Sequence, residues 1–295
     1  MIISVLYKEM INLYIFLSII FWASSFVGIR AAITDFSPIE IAVLRFVVSS
    51  IALLLISIFQ KTILPKKEYL FLFVQLGFVL FVNHISLNFG IRTITAGETT
   101  LIVSTSQIFQ VLLAYLFLKE NVSGRFLFGL LFCFLGVSII AFQKSIGMSL
   151  NLGVSLVLLA AVTNAAFFVL QKPLLKEHGP LEVVSYSTWI TTLLLLPFGG
   201  NAVRSLSMVG LESIFSIIYI GIVSVIAHIC WSKVLSKIDA SKAAIFLYTV
   251  PVMTIVIGFL WLRELPSLIS CLGGAIILGG IIMSNSKSSA TEQAD

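Results

Sequence analysis

Two histidines set the chemical question. His84 and His228 each lie inside a long apolar run, and imidazole is the side chain whose ordinary titration falls nearest neutrality. Ionisable groups within a bilayer are costly and face a bundle interior or a water-filled cavity. Each histidine is therefore either a proton-handling group or a neutral hydrogen-bonding link between helices. At helical spacing His84 shares a face with Gly77, Phe81 and Asn88, and His228 shares one with Gly221, Ser224 and Trp231. Counted along upright helices at about 1.5 Å per residue, the two rings fall roughly 15 Å apart along the membrane normal. That separation speaks against a shared metal.

Other polar residues in apolar surroundings complete a candidate lining. Glu98 opens a helix, where an acid is stabilised by the helix N-terminus; alternatively it attracts a cationic or zwitterionic solute, and it joins His84 and His228 as a proton-coupling candidate. Trp22 and Ser25 sit one turn apart, Gln107 follows Ser104, Asn164 and Phe168 share a face with Gln171, and Tyr248 precedes Pro251. The candidate solute-binding set is thus Trp22, Ser25, His84, Asn88, Glu98, Gln107, Asn164, Phe168, His228 and Tyr248. Aromatic groups in such a set stack planar solutes or hold cations by their ring faces. Trp189, Trp231 and Trp261, nearer the helix ends, read as interface anchors. Arg45 reaches the outer interface on its long stem or pairs with Asp35 or Glu40.

No catalytic constellation emerges. The short loops hold no acid–histidine or cysteine–histidine cluster, so neither catalytic residues, nor a metal, nor a cofactor is expected. The three cysteines, Cys133, Cys230 and Cys271, all fall in apolar runs and suggest no disulfide framework. A phosphate-cradling glycine loop followed by lysine is missing from the sequence, so ATP-driven transport would need a separate subunit.

The elements that must position these groups are membrane helices. Of 295 residues, 59% are hydrophobic and only 11% charged, with mean hydropathy +1.12; soluble domains carry about 25% charged residues. Ten apolar runs approach the roughly 20 residues needed to span hydrocarbon, at 13–33, 38–59, 69–90, 96–118, 126–142, 152–174, 181–198, 211–231, 243–261 and 268–284. The expected fold class is an all-α integral membrane protein. The first run, too long for a signal peptide and followed by nine more, is expected to be retained. With the N-terminus inside, twelve Lys and Arg fall in inner segments against five in outer ones, which places both termini on the cytoplasmic face of an inner (plasma) membrane. The net charge of +5 is scattered between apolar runs, not gathered on a basic stripe, so nucleic acid is not an expected partner. The expected partners are the lipid bilayer and a small-molecule solute, with the chain a monomer or weak homodimer.

The two halves are copies. An ungapped shift of 144 residues superposes Gly77 on Gly221, His84 on His228, Glu120 on Glu264, Gly129 on Gly273 and Gly136 on Gly280; the first two helices match more weakly, as in Ser37-Pro38 with Gly179-Pro180 and Glu40 with Glu182. The units run 1–145 and 146–286, with a polar tail at 287–295. Five helices is an odd number, so the second copy enters the membrane from the opposite side. Inverted-topology repeats build carriers that rock between two states, and this pattern points to alternating access.

Several segments carry a family resemblance. Phe21-Trp22-Ala23-Ser24-Ser25-Phe26, Pro38 through Arg45-Phe46, Ala243 through Tyr248 to Pro251, Glu120 after the fourth helix and Arg263-Glu264 after the ninth resemble the drug/metabolite transporter superfamily in its EamA-like branch of ten-helix carriers. The resemblance implies two interlocking five-helix bundles around a central cavity, lined mainly by helices three, four, eight and nine. It further implies a secondary carrier for amino acids or related amphiphiles, with export of cationic toxic compounds as the alternative. The family's fourth-helix proline is replaced here by Gln107, which leaves the kink of that helix open.

Overall fold

A computed structural model of the chain describes residues 2–32, 35–60, 65–90, 99, 102–142, 152–263 and 267–285. The helices are α1 (Ile2–Ala32), α2 (Pro38–Gln60), α3 (Leu70–Gly90), α4 (Ser106–Leu118), α5 (Gly124–Phe142), α6 (Leu152–Glu177), α7 (Pro180–Leu195) and α8 (Leu211–Leu235). Then follow α9, built from Ala240–Ala244, a 3₁₀ turn at Ile245–Tyr248 and Thr249–Leu262, and α10 (Leu268–Asn285). A short helix, Ala202–Leu206, bridges α7 and α8. Among the described residues six of these runs are long and apolar enough to cross a membrane, and four shorter apolar helices, Glu9–Ser25, Ile102–Leu118, Gly124–Ile140 and Cys271–Ser284, accompany them. Helices dominate because hydrocarbon offers backbone groups no partner except one another. Large apolar side chains such as Phe59, Phe117, Leu260 and Ile282 point outward, as a surface solvated by lipid requires.

Helix packing obeys a two-fold exchange. α1 packs on α8 and α6 on α3; α2 packs on α8 and α7 on α3; α4 packs on α6 and α9 on α1. The exchange reaches single hydrogen bonds. Ser49 Oγ donates to the Gly221 carbonyl at 2.9 Å, and its counterpart Thr191 Oγ1 donates to the Gly77 carbonyl at 3.0 Å. These bonds sit where the helices come closest. A Cβ on Gly77 would stand 2.5 Å from Ile190, and one on Gly221 would stand 2.6 Å from Val48. Small residues at such crossings let backbones approach where lipid provides no hydrophobic drive.

The equivalent helices α2 and α7, and α5 and α10, meet each other directly and antiparallel. Ser50 and Thr192 hydroxyls lie 2.7 Å apart, and Ser57 and Ser185 hydroxyls 3.4 Å apart. Gly129 abuts the Gly280 carbonyl while Gly136 abuts that of Gly273. Cys133 Sγ contacts the carbonyl of Ile277, its own equivalent 144 residues on, at 3.4 Å. The local two-fold axis therefore passes through the Ser50–Thr192 and Cys133–Ile277 contacts.

Local signals also repeat. Pro38 and Pro180 each open a helix whose first-turn acid reaches back, Glu40 to the Ser37 N–H at 2.7 Å and Glu182 to the Gly179 N–H at 3.0 Å. α4 and α9 each end on a left-handed residue, Lys119 (φ 55°) and Arg263 (φ 54°). Pro251, which lacks an N–H and crowds the carbonyl four residues earlier, accounts for the 3₁₀ turn in α9. On the Gln107 side the helical ladder is also interrupted, just before α4 at Thr105, whose hydroxyl and N–H both donate to the Ile102 carbonyl, at 2.6 and 3.0 Å. A side-chain hydroxyl competing for backbone does there what proline does in α9.

Candidate functional site

The polar centre of the bundle is Arg45. α2 carries it into the interior, where its Nη2 donates to His84 Nδ1 on α3 at 3.1 Å and its guanidinium lies 5.3 Å from the Phe46 ring centroid. A guanidinium only donates, so His84 accepts through Nδ1 and is a neutral ring in this arrangement. Asn88 Nδ2 donates to the His84 carbonyl at 2.7 Å, and Phe46 meets the imidazole edge-on at 4.7 Å. Arg45 also lines a cavity of about 20 Å³ with Ser49, Thr188, Ser224 and His228. α2 of one half, α7 of the other and both sides of the two-fold thus converge on this cavity.

His228 joins the cavity to an aromatic cluster. Its Nδ1 donates to the Ser224 carbonyl at 2.8 Å, which fixes the tautomer. Trp22 of α1 meets the His228 ring at 5.4 Å, Trp231 at 5.5 Å and Phe168 of α6 at 6.0 Å. Of the expected lining residues, Trp22 therefore touches both Phe168 and His228, and Arg45 joins His84 to the cavity that His228 lines. Ser25 is buried near this end of α1. Asn164 Nδ2 reaches Ser106 Oγ at 3.4 Å, tying α6 to α4, and Gln107 is buried beside it. Tyr248 is placed elsewhere, packed with Val111, Phe126, Leu130 and Ile277. Glu98 lies outside the described residues.

Three expectations are corrected. The histidines are not remote: His84 accepts from Arg45, and His228 lines the same cavity as Arg45. The upright-helix count assumed parallel axes at one depth, whereas these helices cross, with α2 wedged between α3 and α8. Arg45 neither reaches the interface nor pairs with Asp35 or Glu40; those acids take Ser213 Oγ and Ser205 Oγ instead. Trp231 is not an interface anchor but fully buried, and Trp189 donates Nε1 to the Ser50 carbonyl at 3.2 Å near the axis. In each case a position counted near a helix end lies at a helix crossing.

Sequence reasoning missed Ser49 and Thr188 as cavity residues. Ser49 stands one turn from Arg45, a signal that was available. Thr188 lies on α7, and nothing in sequence order joins α7 to α2.

A model of the EamA-like transporter family matches residues 9–142 and 151–286. The chain is 34% identical over 262 residues, 88% of its length and 86% of the relative's, to the uncharacterized transporter YdfC of Bacillus subtilis (strain 168). It is 27% identical to a probable terminal-alkyne amino-acid exporter of Streptantibioticus cattleyicolor, covering 91% of each chain. A crystal structure of a protein superposes with a TM-score of 0.79 over 93% of this chain and 96% of its own, at 16% identity, a likeness of fold.

Proposed function

The chain belongs to the EamA-like transporter family, and from that premise we propose that it is a secondary carrier or exchanger for a small organic metabolite, an amino acid or a related amphiphile. That it is a multi-pass membrane transporter and not an enzyme follows from the family and its relatives. The finer reading has the halves 1–145 and 146–286 inserted in opposite senses in an inner membrane, both termini cytoplasmic. They expose the Arg45 cavity to each side in turn.

The observation that carries this reading is the exchange of Ser49–Gly221 for Thr191–Gly77. Two halves that hold each other by equivalent bonds can trade conformations at little net cost, which is the energetic condition for two access states of similar stability. The likeness to an amino-acid exporter supports the solute class. Proton coupling would run through His84 or His228. A proton on His84 Nδ1 would expel the Arg45 hydrogen bond, so protonation and the position of the guanidinium are linked.

The test is flux into liposomes containing the purified full-length protein, using a labelled panel of the twenty amino acids at two pH values. Uptake of at least one panel member above protein-free liposomes is expected. No movement of any amino acid would overturn the reading. Movement of organic cations alone would favour export of cationic toxic compounds, which the Trp22–Phe168–Trp231 cluster suits chemically.

A further inference from the structure

We propose that Arg45 is the point at which the carrier recognises a carboxylate of its solute. The proposal rests on the transport reading above and adds to it a chemical requirement: what is moved carries an acid group, and its decarboxylated amine is refused.

Among the described residues the charge of Arg45 has no counterion, in a setting where one is most needed. Among the described residues no carboxylate lies within 4.0 Å of it, and its hydrogen-bond partner, His84, is a neutral acceptor that engages one corner of the fork. A cation inside a membrane protein is expensive unless a partner or a water-filled cavity receives it. Here Arg45 lines a cavity whose other polar residues are Ser49, Thr188, Ser224 and His228. None of these carries negative charge to neutralise it.

Guanidinium geometry selects the anion. Its parallel N–H groups match the two oxygens of a carboxylate in a way that an ammonium does not. At about 20 Å³ the cavity has room for about one water molecule. It therefore admits the tip of an acid group and not a whole amino acid, and the solute's body must lie where the walls part. Trp22, against His228, and Phe168, against Trp22, form the neighbouring apolar surface. The recognition is one-sided, because the position equivalent to Arg45 in the second half is Ser187. A single cation in an otherwise duplicated chamber gives the solute one orientation. It also repels organic cations, so this inference stands against the cationic-drug alternative.

The experiment compares matched pairs in liposomes containing the full-length protein: L-phenylalanine with phenethylamine, L-leucine with isoamylamine, and propargylglycine with its amine. For the wild type, flux of the acid in at least one pair should exceed that of its amine by about tenfold or more, the discrimination expected from one charge-assisted hydrogen-bonded pair. Arg45→Gln should lose that acid flux by about tenfold or more, and Arg45→Lys, which keeps charge but not the fork, should fall between. Should Arg45→Gln fail to fold, the wild-type comparison and Arg45→Lys still decide. Equal flux of acid and amine, or amine flux alone, overturns the proposal while leaving transport intact. Full acid flux in Arg45→Gln does the same. If the wild type moves neither acids nor amines, the transport reading falls and the proposal falls with it.

Discussion

Tyr248 shows at the residue scale how burial and function can part. Its hydroxyl is buried and makes no hydrogen bond among the described residues, in a cluster of aliphatic and aromatic neighbours. An unsatisfied buried hydroxyl costs about 1–3 kcal/mol. Tyr248→Phe is therefore expected to keep or raise thermal stability in detergent, and to leave flux unchanged because the ring touches neither Arg45 nor the Trp22 cluster. A marked loss of flux would return Tyr248 to the lining. The histidines behave differently. Replacing His84 and His228 together by Gln should flatten the pH dependence of flux; an unaltered profile would remove both from proton coupling. The polar residues of the cavity region were partly legible: the histidines stood out because no other side chain in their runs titrates so near neutrality. Arg45 was misread because its distance from the helix start suggested an escape to the interface, and only packing reveals that α3 and α8 close off that route.

At the scale of elements, the start of α9 is held by a residue from the end of α4. Glu120 accepts from the Ala240 and Ser241 N–H groups at 2.9 and 2.8 Å and from Ser241 Oγ at 2.6 Å. A carboxylate at a helix N-terminus satisfies orphan donors and complements the helix dipole. Glu120→Ala should cost about 1–2 kcal/mol, read as a lower melting temperature, with Glu120→Gln in between. No change in either variant would mean that α9 is held by its packing alone. Nearby, Lys172 Nζ donates to the carbonyl of Leu235, the last residue of α8, and to that of Ile238 in the turn after it, at 2.8 and 2.7 Å. The basic-acidic ending of α4 was visible in sequence, but its partner lies 120 residues away and no local pattern announces it. The break just before α4 at Thr105 was equally hidden, since a hydroxyl that competes for a carbonyl leaves no mark as plain as proline.

For the molecule as a whole, the repeat was the most legible feature, because glycine, histidine and glutamate coincided in one register; the hydrogen bonds that make it an axis were not. Symmetry sorts contacts into two kinds. A contact between equivalent residues, such as Ser50 with Thr192, would map onto itself if the halves exchanged conformations, whereas all others would map onto a different pair. Cysteines at 50 and 192, in a background with the three native cysteines replaced by alanine, should oxidise to a disulfide that leaves flux intact. Loss of flux on crosslinking would show that the axis itself opens. At the other end of the axis, Gly136→Leu would drive a side chain into the Gly273 carbonyl, 2.6 Å from the site of a Cβ. It should abolish stable protein as judged by size-exclusion chromatography, and a monodisperse variant would argue against this close crossing. The axis also bears on the difference between the halves. Were both halves one sequence, the residue at position 50 or 133 would stand opposite itself, and any change there would arrive twice at one spot. An arginine at position 45 would then have had a twin aimed at His228, and two guanidiniums would have shared a chamber with room for about one water. A lone cation at this place requires halves that differ, as Arg45 and Ser187 do.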